Sequence, residues 1–99
     1  MKVLLSFSVV PMGVGVSVSE YVAECEKVLE ASGVKYQLHA NGTNVEAEWD
    51  VAFAAIKACH ERVHAMGAPR ISTVIYAGTR TDKEQTLEDK VDSVRAKLG

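Results

Sequence analysis

From Lys2 to Val10 the side chains alternate in kind, with Val3, Leu5, Phe7 and Val9 on one side of an extended chain and Leu4, Ser6, Ser8 and Val10 on the other. Successive strand residues face opposite ways, so this pattern predicts a first strand over 2–10 with the Val3 side toward a core. Pro11, Gly13 and Gly15 break the run. Val18, Tyr21, Val22, Cys25, Val28 and Leu29 then recur at helical spacing, and Gly33 supplies a C-terminal stop. Ser17 followed by Glu20 predicts a capping box at the start of that helix. Residues 34–39 and 43–48 read as short strands around Ala40-Asn41-Gly42, where Asn-Gly is a strong hairpin signal. A second helix, capped by Asp50, carries the stripe Ala52, Ala55, Ile56, Cys59, Val63 and Met66 and stops at Gly67. Residues 70–77 form a fourth strand. Asp82 with Gln85 predicts a capping box for a third helix, whose narrow seam is Leu87, Val91, Val94 and Leu98.

This order of elements predicts an α+β protein, a ferredoxin-like βαββαβ sandwich whose four-stranded antiparallel sheet carries helices on one face, with a third helix at the C-terminus. The 99 residues, 47% hydrophobic and 24% charged, suit a single domain over 1–99 with a small core. Leu4, Val10 and their neighbours then lie on an uncovered sheet face, which is wet, self-associated or a binding surface. Burial of that face predicts a dimer or tetramer. The net charge of −2 gives no reason to expect nucleic acid or an acidic membrane as partner. No run reaches the roughly 18 to 20 apolar residues of a membrane span, and Val3–Val10 reads as a strand rather than a signal peptide. A cytoplasmic location is expected. Cys25 and Cys59 fall on apolar helix faces without C-x-x-C spacing, as buried free thiols do.

Three stretches can carry chemistry. His60-Glu61-Arg62-Val63-His64 matches H-E-x-x-H, a pattern in which two histidines one turn apart hold zinc and the glutamate acts as base. The only other histidine, His39, lies at a strand end, so a third ligand is missing. A structural or surface role is expected, with no metal, and a metal-dependent hydrolase ranks as a distant reading. Gly13-Val14-Gly15-Val16-Ser17 opens a helix and can present amides to an anion. Its third fingerprint position is Val18, so it reads as a plain strand-to-helix turn. Asn41 to Glu46 places a hydroxyl and a carboxylate close in sequence, with Asn44 and Glu46 opposite Thr43 and Val45. If Val45 is in the core, Glu46 lies on the open face, either to meet a cation or amidine-like ring or as an ordinary exposed carboxylate.

Beyond these, Ser8-x-x-Pro11-x-Gly13, Ser17-x-Ser19-x-Tyr21-Val22, Ser32-Gly33-x-x-Tyr36, Gly42-Thr43-x-Val45-Glu46, Gly67-x-x-Arg70, Thr79-Arg80-x-Asp82-Lys83 and Lys90-Val91-x-Ser93-Val94 occur in this order over nearly the whole chain. The set resembles the small thiamine-binding proteins of the YkoF-like superfamily. That resemblance implies a ferredoxin-like fold, sheet-to-sheet dimers and often tetramers, and binding of thiamine or its pyrimidine fragment without catalysis or a cofactor. It implies a ligand site drawn from Ser6, Ser8, Tyr36, Asn41, Thr43 and Glu46. In that site Glu46 would meet the aminopyrimidine or the thiazolium charge, Tyr36 would offer an aromatic surface, and Ser6, Ser8 and Thr43 would orient the ligand. Ala40 and Asn41 stand where a Pro-Met pair is commoner, and Ala47 where glycine is. The competing reading is a structural or regulatory homo-oligomer with no small-molecule ligand.

Overall fold

The computed structural model describes residues 1–99, and its elements follow the expected order: β1 (Lys2–Met12), α1 (Ser19–Ser32), β2 (Lys35–His39), β3 (Gly42–Glu48), α2 (Trp49–Ala65), β4 (Arg70–Gly78) and α3 (Leu87–Leu98). The strands form one antiparallel sheet in the order β2-β3-β1-β4, the ferredoxin-like α+β arrangement. β1, the longest strand and the one richest in apolar residues, lies inside the sheet, with Leu5 opposite both Val45 and Ala77. α1 and α2 cover the face that carries Val3, Leu5, Phe7, Val9 and Val45, and they contribute Leu29, Ile56, Cys59 and Val63 to the core. The face assigned to the core from alternation is the one buried. No helix is long and apolar enough to cross a membrane.

The helix starts differ from expectation. α1 begins at Ser19 with Val18 as its N-cap, and no side chain closes its first turn. The third helical residue is therefore Tyr21, which has no carboxylate to reach back, so Ser17 and Glu20 form no capping box. α2 follows β3 directly with Glu48 as N-cap, which puts Asp50 inside the first turn, where its charge favours the helix dipole without capping. The box on α3 is Thr86 with Asp89, each side chain bonding the other's backbone N–H at 3.0 Å. Asp82 is engaged instead by Arg80 through two bonds of 2.6 and 2.8 Å.

The hairpin forms as expected, for a different reason. His39 pairs with Gly42 across a loop of Ala40 and Asn41, and no non-glycine residue has a positive φ, so Asn-Gly does not supply the central pair of a type I′ turn. Gly42 is required by proximity: a Cβ there would lie 2.6 Å from the Phe7 carbonyl oxygen.

α3 crosses the opposite sheet face at its Lys2 end. The Leu87 N–H donates to Glu46 at 2.9 Å, and Lys35 joins Glu46 to Glu88. Leu4, expected to be exposed, is half-buried and shares a cleft with Leu87 and Val91. The rest of that face is open, with Val74 66% and Tyr76 81% exposed.

Candidate functional site

At the other end of the sheet, the β2–β3 hairpin, the middle of β1 and the first half of α1 enclose a recess of about 260 Å³. Phe7, Val9, Val22 and Leu38 give it apolar walls. Strand alternation puts Thr43 on the same side as Val45, and it is buried at 4% exposure. Its hydroxyl donates to the Glu26 carboxylate, 3.1 and 3.2 Å from the two oxygens. Glu26 lines the recess, and no basic side chain lies within ion-pair distance of it. Burial pushes its carboxyl above the usual glutamate range, and the Thr43 hydrogen bond offsets only part of that push. The recess thus holds a carboxylate with spare acceptor capacity and no counter-charge.

The hairpin rim is held from both sides of one histidine. The Asn41 N–H donates to His39 Nδ1 at 3.2 Å, so Nε2 carries the proton and donates to Ser6 Oγ at 2.9 Å. In that tautomer Ser6 is an acceptor and gains no nucleophilic activation, which leaves the pair a brace for the loop.

The six residues singled out from the sequence do not form one constellation. Ser8, Asn41 and Thr43 line the recess, and Ser6 stands behind its rim through His39. Tyr36 lies on the helix side of β2, where its hydroxyl donates to Glu30 at 2.9 Å; this bond is the main reason its phenol is raised. Glu46 is at the far end on the opposite face, already engaged by Lys2 and Lys35 at 3.1 Å each and by the Leu87 N–H. Burial pushes the Glu46 carboxyl up, but the Leu87 amide and the two lysines outweigh that push and hold it below the ordinary range. It is therefore neither an exposed solitary carboxylate nor part of the recess.

Glu26 was not among the residues picked from the sequence. A signal was present: Val22, Glu26 and Leu29 stand at i, i+4 and i+7 on α1, so a charge interrupts the apolar stripe.

The H-E-x-x-H histidines turn to separate partners. His60 hydrogen-bonds the Thr73 hydroxyl on β4, and His64 Nδ1–H donates to the Ala68 carbonyl at 2.8 Å. No group of three His, Cys, Asp or Glu side chains is placed to hold a metal ion. Cys25 and Cys59 are buried free thiols, and Cys59 Sγ lies 3.7 Å from the Cys25 carbonyl.

A sequence profile of the family described as "Thiamine-binding protein" matches residues 5–95. The chain belongs to that family. A UPF0045 protein of Synechocystis is 57% identical over 99% of this chain and 81% of its own length. A UPF0045 protein of the fungus Eremothecium gossypii is 44% identical over 96% and 91%. Among solved structures, a hypothetical protein of Methanocaldococcus jannaschii superposes with a TM-score of 0.88 at 32% identity, covering 95% of this chain and 96% of the other. A Thermotoga maritima protein provisionally assigned to thiamine biosynthesis or salvage gives a TM-score of 0.81, covering 96% and 100%; at 23% identity it bears on the fold alone. The thiamine-binding family so defined carries no enzymatic name. The family match takes in every residue of the recess named above.

Proposed function

We propose that the chain binds thiamine or a related aminopyrimidine in the recess beside the hairpin, as a carrier rather than a catalyst. The observation that supports this most is the pairing of apolar walls with one uncompensated carboxylate, Glu26, held by the buried Thr43. Thiamine joins a flat aminopyrimidine to a cationic thiazolium ring. The walls suit the flat rings, and the carboxylate can accept from the amino group and offset the positive charge. Asn41 on the hairpin loop adds a polar side chain to the lining.

Calorimetric titration with thiamine is expected to give saturable binding, and Glu26→Gln should weaken it by about 1 to 3 kcal/mol through loss of a charge-assisted hydrogen bond. Undiminished affinity in that variant removes Glu26 from the site. Absence of binding by the parent favours the ligand-free reading of the fold.

The uncovered half of the sheet supports self-association beside ligand binding. Val74 and Tyr76 on β4 and Val94 and Leu98 on α3 are all more than half exposed. Burying such surface is worth about 25 cal/mol per Å², which favours a second copy over that face. Val74→Asp should then reduce the particle mass in light scattering, because an unpaired carboxylate is costly to bury. A parent that is monomeric at micromolar concentration sinks this part of the proposal.

A further inference from the structure

The β4–α3 connection builds a second cavity whose chemistry is unlike that of the recess. It measures about 300 Å³ and lies between the Lys2–Leu4 end of β1, the residues after Gly78 and the first turn of α3. Lys2, Arg80, Lys83 and Lys90 all line it, against Glu84 as its one acidic member. The chain as a whole carries −2, so this collection of positive charge is a local feature rather than a reflection of composition.

The neighbouring carboxylates account for only part of it. Glu84 lies 3.7 Å from Lys2, which also pairs with Glu46, and Asp82 is held by Arg80. Asp89 is committed to the α3 capping box. Lys83 and Lys90 are in no ion pair. The backbone that presents them is fixed at several points: Arg80 grips Asp82 twice, Thr86 and Asp89 cap each other, and the Leu87 N–H is held by Glu46. Thr79 and Gln85 add a hydroxyl and an amide to the lining.

We infer that this cavity is a binding site for a phosphate-bearing small molecule, with Lys83 and Lys90 as the contacting cations and Lys2 and Arg80 as its flanks. Lysine ammonium groups recognise phosphate as compact point charges, and the four basic groups converge from three separate segments on one hollow. Its volume of about 300 Å³ leaves room beside a phosphoryl group for the rest of a small molecule. An extended polyanion would need a basic surface that continues beyond the cavity, and on the segments that carry Arg80, Lys83 and Lys90 the basic residues are interspersed with Asp82, Glu88, Asp89 and Asp92.

The test is a titration of the full chain with inorganic phosphate and with pyrophosphate at low ionic strength, followed by amide NMR. Saturable binding is expected, with shifts concentrated at Lys2–Leu4 and Thr79–Lys90 and affinity falling as salt rises. The double variant Lys83→Ala, Lys90→Ala should bind at least about tenfold more weakly, while Lys57→Ala on the exposed side of α2 should bind as the parent does. Pyrophosphate, with the greater negative charge, is expected to bind more tightly than phosphate, and equal binding means that one phosphoryl group makes all the contacts. Both uphold the site. No saturation at millimolar pyrophosphate, shifts elsewhere, or equal losses in Lys57→Ala and the double variant overturn it. Because thiamine is absent throughout, the outcome is independent of the recess.

Discussion

Glu26 and Glu46 are chemically the same residue at opposite ends of one small sheet, and they do opposite things. Glu46 sits on the face crossed by α3, where Lys2, Lys35 and the Leu87 N–H satisfy its oxygens. Glu26 sits on the helix-covered side, where a single neutral hydroxyl is its partner. Burial penalises both charges, but only the first is compensated, so their carboxyl groups shift in opposite directions. A compensated carboxylate contributes to structure and has little left for a ligand. An uncompensated one costs the unliganded protein something and gives a cation a reason to bind.

The largest effect that can break this contrast is expected at Glu46. Glu46→Ala leaves two lysines and the first amide of α3 without their shared acceptor, and should lower stability by about 2 kcal/mol in urea unfolding. Thiamine affinity should be unchanged. A stable variant that has lost thiamine binding would reverse the roles of the two carboxylates.

Glu26→Gln sharpens the contrast from the other side. The amide oxygen of Gln can still accept from Thr43, and the uncompensated charge is gone. The affinity loss of about 1 to 3 kcal/mol argued above should therefore come with unfolding stability at neutral pH equal to the parent's or slightly higher. A destabilised variant would mean that the Glu26 charge is part of the scaffold.

The contrast also explains what could be read from the sequence. Alternation in β1 and the 3.6-residue stripes of α1 and α2 report burial directly, so Val3, Leu5, Phe7, Cys59 and Val63 were legible as core, and the element order pointed to the observed sheet topology. Caps were less legible because several Ser, Thr and Asp residues compete over a few positions. The winner on α3, Thr86, depends on Arg80 taking Asp82 and on Glu46 reaching across from β3. The lining of the candidate recess was half legible. Thr43, Asn41 and Ser8 do line the recess, whereas Glu46 follows from the open face and the family resemblance, and neither signals that Lys2, Lys35 and the Leu87 N–H already engage it there. The true neighbour of Thr43 comes from α1, through packing that has no local signature.

The smallest expected effect lies in the pH dependence, where the two carboxylates should separate into different windows. The folded pKa of Glu26 is raised, so its ionised form costs stability above that pKa, and the cost is relieved as pH falls through it toward the unfolded value. The folded pKa of Glu46 is depressed, so its contribution is complete above the unfolded glutamate pKa and is lost only as pH falls through the lower, folded one. On acidification from neutrality Glu26 should therefore protonate first. Thiamine affinity should fall in that window, because the neutral acid no longer offsets the cation, while Glu26 itself adds slightly to stability. The Glu46 contribution should disappear at lower pH. Thiamine titrations and urea unfolding at matched pH values, in the parent and in Glu26→Gln, measure both. If the parent loses affinity and stability together, or if Glu26→Gln keeps the same pH dependence of binding, the carboxylate that meets the ligand is not Glu26.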